Sequence, residues 1–219
     1  MDEFSTEDEQ LEEIRKWWSE NWKQVIGGLV VGLALIFGWR GYTSAQRLTA
    51  ERASIQYELL QAAVDAGDTA SAEGIVVVLE ENYFGTPYLH QAYLATARLR
   101  AQGGDLDGAQ SMLESVLGAK DKELASVARL RLARLHLQQG DSESALELVA
   151  DRTDGPFAGL YADIRGDALA AAGRDAEARQ AYEAALAVEN ENLVNRELVE
   201  MKLAMLSASN SEPVAGDDG

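Results

Sequence analysis

The sequence predicts an all-α chain: an N-terminal transmembrane helix, then an α-solenoid of about four helical hairpins and a capping helix. Three observations predict it. Sixteen uncharged residues run from Gln24 to Trp39, a glycine then returns at intervals of 33 to 37 residues, and all three prolines fall between or beyond the proposed helices. The boundaries that follow are an acidic head over 1–22, the transmembrane helix over 23–42, the repeat domain over 43–207 and a polar, disordered tail over 208–219.

The apolar segment QVIGGLVVGLALIFGW is framed by Lys23 and Arg40. A spanning helix needs about twenty residues. Lys23 and Arg40 can lay their aliphatic stems along the apolar slab and keep their charges at the headgroups, so the usable span runs from about Trp22 to Tyr42. Trp17, Trp18 and Trp22 lie on one side, Trp39 and Tyr42 on the other, where amphipathic rings favour the membrane boundary. A buried core helix seldom carries aromatics at both ends. A cleaved signal peptide fits poorly with an n-region full of carboxylates. Gly28 and Gly32 form a GxxxG, which lets a second helix approach closely in lipid, although glycine is also common in isolated spans.

Orientation is not settled by charge, because Arg15, Lys16 and Lys23 precede the span while Arg40, Arg47 and Arg52 follow it. An early, uncleaved apolar segment behind a short head usually acts as a signal-anchor, which puts the head in the cytosol and exports the body. The absence of cysteine suits an exported domain without deciding the matter. The net charge of −18 is carried by both parts. Such a surface repels phosphate backbones and anionic headgroups, which excludes nucleic acid as a partner and favours proteins.

The repeat is read from Gly67, Asp68 and Ala72; Gly104, Asp105 and Ala109; Gly140, Asp141 and Ala145; and Gly173, Arg174 and Ala178. Each glycine follows one helical pattern, such as LARLHLQQ, and opens another, such as ESALELV. It can take the left-handed conformation that ends a helix, the aspartate beside it can cap the next, and the alanine allows close approach. These hairpins resemble the tetratricopeptide repeat, which also wants a small residue seven positions before the turn. Ala97, Ala133 and Gly166 supply it, and Leu60 departs from it. The large aromatic expected late in the second helix is present only as Tyr182, with Val76, Leu113 and Val149 in the other copies, so the repeats are degenerate. No proline interrupts Val25 to Ala66, so the membrane helix can continue into the first hairpin. A last helix over about Glu191 to Ser207 would cover the final hairpin.

Chemistry is sparse. His90 and His136 are the only histidines and neither has a second ligand at a metal-binding spacing. No phosphate loop or nucleophile elbow is present. The sequence predicts no enzyme, no catalytic residue, no cofactor and no metal.

If the hairpins stack, their first helices line a concave face, and residues at one offset from the turn glycine stack along it. Six residues before the glycine lie Gln61, Arg98, Arg134 and Asp167; ten before it lie Leu94 and Leu130. Two equivalent arginines in an acidic domain can meet a peptide carboxylate or an acidic helix beside apolar contact from the leucines. Alternatively, they neutralise neighbouring acids in interrepeat ion pairs.

The acidic head, the segment EEIRKWWSENWKQVIGGLVVGLALIFGWRGY with its Gly38-Trp39-Arg40 exit, and a degenerate repeat body of this length together resemble the bacterial ancillary subunit of the Sec translocon. The resemblance implies a single-pass inner-membrane protein with its N-terminus in the cytosol and its repeats in the periplasm. It also implies association with the Sec channel and with a membrane-anchored periplasmic chaperone of the prolyl-isomerase type, in assistance to secreted chains after translocation. Unfolded secretory clients are a subsidiary ligand in this reading. Two other readings remain: a regulator of a stress-response protein acting through its cytosolic head, and a scaffold of another envelope assembly pathway.

Overall fold

The computed structural model describes residues 3–188 and 193–209, with side chains over 11–188 and 193–207. Among these residues every regular element is α-helical: α1 Glu3–Asp65, α2 Thr69–Asn82, α3 Pro87–Gln102, α4 Leu106–Glu114, α5 Lys122–Gln138, α6 Ser142–Val149, α7 Ala158–Ala171, α8 Asp175–Ala187 and α9 Arg196–Ser209. The chain divides into two compact units, Met1–Arg52 and Ala53–Gly219. α1 carries on through Gly41 as one helix, as the absence of proline leads one to expect. The capping helix starts at Arg196 and reaches Ser209, so the first two residues assigned to the tail are helical. The rest of that tail, with Pro213, lies outside the described residues, as do Glu191 and Asn192.

In the first unit α1 is the one described helix long and apolar enough to cross a membrane. Leu29, Val30, Val31, Leu35, Ile36 and Phe37 are all exposed, which is stable in lipid and costly in water. The Lys23 ammonium stands 5.9 Å from the Trp22 ring centroid, and the Trp39 and Tyr42 rings are 6.4 Å apart. Each boundary thus carries aromatic surface beside a cation or another ring.

The second unit is a run of hairpins, and each turn is built as the repeat predicts. Gly67, Gly104, Gly140 and Gly173 have φ of +70°, +87°, +80° and +72°. Asp68, Asp105 and Asp141 then accept from the backbone amides of Ser71, Gly108 and Ser144 at 3.0 Å. Each satisfies an amide that the first turn of the helix leaves free. In the fourth copy Arg174 makes no such cap and pairs instead with Glu177 at 2.6 Å. Ala72, Ala109, Ala145 and Ala178 are fully buried where the paired helices meet.

Hairpins are joined by side chains as well as by the apolar core. Arg100 on α3 reaches Glu73 on α2 at 2.6 Å and Asp105 at 2.9 Å. The Tyr93 hydroxyl donates to Glu80 at 2.7 Å; burial first, and then this carboxylate, push its pKa up to about 12. In the last hairpin the Tyr182 ring fills the space that a Cβ at Gly166 would occupy. The copy with the aromatic is therefore the copy with glycine at the small position.

Gly166→Ala tests that packing. Alanine gains about 1 kcal/mol of helix propensity, and overpacking costs about 1–3 kcal/mol. The ring is fixed by its hydroxyl, so urea denaturation should show a net loss. In a Tyr182→Leu background the same change should become neutral or stabilising.

The caps predict an acid response. Asp68 and Asp141 are held below the usual aspartate range, first by the hydroxyls of Ser71 and Ser144 and then by their backbone amides. A depressed folded pKa contributes stability that is present above the unfolded value near 4 and lost as pH falls through the folded one. Tm should fall on acidification through that range, and less steeply in the Asp68→Asn, Asp141→Asn double variant.

Candidate partner-binding groove

The first helices of the hairpins are the end of α1, then α3, α5 and α7. Gln61, Leu94 and Arg98, from α1 and α3, line one open pocket of about 210 Å³. Tyr57, Gln91 and Arg131 complete its polar wall. The Gln61 amide donates to the Tyr57 hydroxyl, and the Tyr57 and Tyr88 rings stand 5.8 Å apart. This wall is held before any ligand arrives.

Arg131, on α5, crosses to the neighbouring hairpin and donates from Nη1 to the Leu94 carbonyl at 2.9 Å. The residue is exposed as a whole, yet its guanidinium is partly withdrawn from water. That withdrawal, followed by the positive charges of Arg98 and Arg134, pushes its pKa down from the ordinary arginine value. Arginine remains charged even so. Three positive groups therefore share one face of a chain with net charge −18.

Arg98 and Arg134 are both exposed. Among the described residues neither pairs with a carboxylate: the pairs formed are those of Arg100, His136, Arg174 and Lys202. The alternative of interrepeat ion pairs at these two arginines is not what the structure shows. His136 lies 3.7 Å from Asp141, at a turn rather than in the groove.

The predicted leucines and Asp167 differ in what they offer a ligand. Leu130 is 4% exposed and packs in the core with Ala133, Val149 and Ile164, so it presents almost no surface to a ligand. Leu94 is 7% exposed and belongs to both core and pocket rim. Asp167 is apart from the arginines in its bonding. Its carboxylate accepts from the Tyr182 hydroxyl at 2.8 Å and from Lys202 at 2.7 Å, and Lys202 also reaches the buried Asp163 at 2.7 Å. At the two offsets that elsewhere carry tyrosine, leucine, glutamine or arginine, the fourth hairpin carries two acids, and the capping helix covers them with its own lysine. Gly28 and Gly32 have open space around the position of a Cβ, so within the first unit nothing packs on them.

Tyr57 and Arg131 are the groove residues that sequence reasoning missed. Tyr57 was within reach, because it stands ten residues before Gly67 as Leu94 stands before Gly104. Arg131 stands nine before its glycine, where its counterparts are Glu58, Ala95 and Ile164, and only its contact with another hairpin brings it to the site.

A family model described as a tetratricopeptide repeat-like domain matches residues 15–208. The sequence is 29% identical over 208 residues to the ancillary SecYEG translocon subunit of Escherichia coli, covering 94% of this chain and 100% of that one. It is 28% identical over 202 residues to the protein of that name from Haemophilus influenzae, covering 91% and 98%. Among solved structures, nearly identical TPR-like repeats from a kinesin light chain candidate of Podosopora anserina superpose with a TM-score of 0.56 at 21% identity. That match covers 74% of this chain and 87% of the other, and it shows the fold alone.

The capping contact gives a stability prediction. Lys202→Met leaves Asp163 without its cation and should cost about 3 kcal/mol in chemical denaturation. Lys202→Met combined with Asp163→Asn and Asp167→Asn should recover much of that loss.

Proposed function

The chain belongs to the tetratricopeptide repeat-like domain family, and on that premise we propose that it is a membrane-tethered interaction scaffold associated with the Sec translocon. The observation that carries this reading is the extent of the similarity, which takes in the apolar helix of this chain as well as its repeats. Similarity to the ancillary SecYEG translocon subunits extends over nearly the whole chain rather than over the repeats alone. One exposed apolar helix fits a membrane-anchored protein.

In this reading the head is cytosolic, the repeats are periplasmic and the concave face carries Gln61, Leu94 and Arg98 with Arg131 toward a partner. That partner is a membrane-anchored chaperone of the prolyl-isomerase type, brought beside the Sec channel to receive emerging chains. Tethering both to one membrane raises their effective concentration, so the groove needs no tight intrinsic affinity. Gly28 and Gly32 supply a face on which a second span can pack. The chain acts by holding partners, not by turnover.

The absence of cysteine makes the topology directly testable. Single cysteines replacing the exposed Ser19 and Lys120 should differ in cells whose outer membrane has been permeabilised: an impermeant maleimide labels the Lys120 position and spares Ser19. Affinity isolation of the full chain in mild detergent should recover the Sec channel, and Gly28→Leu with Gly32→Leu should reduce the recovery severalfold. Labelling at Ser19 alone would reverse the topology, and absence of the channel from the isolate would remove the translocon assignment.

A further inference from the structure

We propose that the arginine face binds an acidic pair within an extended segment of the partner, two carboxylate side chains two residues apart, shared between Arg98 with Arg131 and Arg134. This rests on the reading of the concave face as the partner-binding surface and adds the chemistry of its ligand.

Four observations lead to it. First, Arg98 and Arg134 are exposed and, among the described residues, pair with no acid, in a chain where 37 Asp and Glu outnumber 19 Lys and Arg. Long cations left without carboxylates among the described residues form a positive face that an anion can neutralise. Second, Arg131 is anchored on the Leu94 carbonyl at 2.9 Å, so its fork is already oriented and less freedom is lost when a carboxylate binds. Third, the pocket of about 210 Å³ admits single side chains, whereas a helix about 10–12 Å across does not enter it. An extended segment lying across the first helices can offer it single side chains while its backbone stays outside.

The fourth is spacing. Arg98 and Arg134 occupy the same offset on α3 and α5, first helices of successive hairpins that touch one another. Packed helix axes stand about 8–10 Å apart. In an extended chain, residues two apart point to the same side and lie about 7 Å from each other. The arginine stems close the difference, and Arg131 lines the pocket beside Arg98 with its guanidinium fixed on the Leu94 carbonyl. Gln61 and Tyr57 at the pocket wall can donate to the segment's carbonyls.

The test uses the full chain in nanodiscs of zwitterionic lipid and fluorescein-labelled peptides, C-terminally amidated, that carry Asp-x-Asp, Asp-Asp, a single Asp or Asn-x-Asn. Anisotropy should rank Asp-x-Asp first and Asn-x-Asn at least about tenfold weaker. Arg98→Gln and Arg134→Gln should each weaken the first peptide about tenfold with helicity unchanged, because neither guanidinium is paired within the fold. Equal binding of Asn-x-Asn would overturn the proposal. So would binding that appears only with a free C-terminal carboxylate, which would make the site an end-capture pocket. Displacement by inorganic phosphate at the peptide's own concentration would make it a small-anion site and overturn it too. Photocrosslinkers at Arg98 and Arg134 separate the two levels. Capture of a Sec-associated partner without any Asp-x-Asp preference would sink the acidic pair and leave the scaffold standing. Peptide preference without such capture would support the acidic pair and remove the translocon partner.

Discussion

The structure depends on one local arrangement: a glycine in the left-handed region ends a helix, and the next residue caps the one that follows. At Gly67, Gly104 and Gly140 the aspartate beside the glycine accepts from an amide at 3.0 Å, so reversal and restart of the helix are completed within a few residues. Because the turn is tight, the helices on either side meet at a fixed register. The buried alanine five residues on is where they touch. Repetition of that register converts a position in the sequence into a position on a face. Arg98 and Arg134 share a face for this reason, whereas Gln61 and Tyr57 share one because they stand a helical turn apart on α1.

That logic also explains what could be read in advance. The apolar helix, the four turns and the buried alanines are local features, set by residues within one or two turns of each other, and the structure has the turns and the alanines where the residues predict. The groove was legible only in part. Gln61, Leu94 and Arg98 follow from the offset rule, whereas Leu130 obeys the same rule and lies in the core. The rule fixes the direction in which a side chain leaves its helix but not how far the next hairpin covers it. Contacts made across 35 to 39 positions, Arg131 to Leu94 and Lys202 to Asp163 and Asp167, had no local signal at all. The start of α9 at Arg196 was likewise masked by the even mixture of polar and apolar residues before it.

Several cations of the second unit are held by contacts within the fold. Of the positive groups in the second unit, Arg100 is spent on joining hairpins, Arg174 on its own turn and Lys202 on the cap. Arg98 and Arg134 are not engaged in this way, and they stand together with Arg131. The fourth hairpin shows the same positions satisfied from within, where Asp163 and Asp167 take the lysine of the capping helix as their counter-ion. At these offsets the fourth hairpin is therefore covered by the capping helix, whereas Arg98 and Arg134 are exposed.

In the proposed scaffold this face, and not the outer one, meets the partners at the translocon. The most direct measurement is site-specific photocrosslinking in native membranes, with the probe placed in turn at Arg98, at Arg134 and at the exposed Glu147 of α6, followed by identification of the adducts. Adducts to a periplasmic chaperone or to the Sec channel are expected from the two arginine positions and none from Glu147. Adducts from Glu147 alone, or adducts from the arginine positions only to cytosolic proteins, would contradict that assignment.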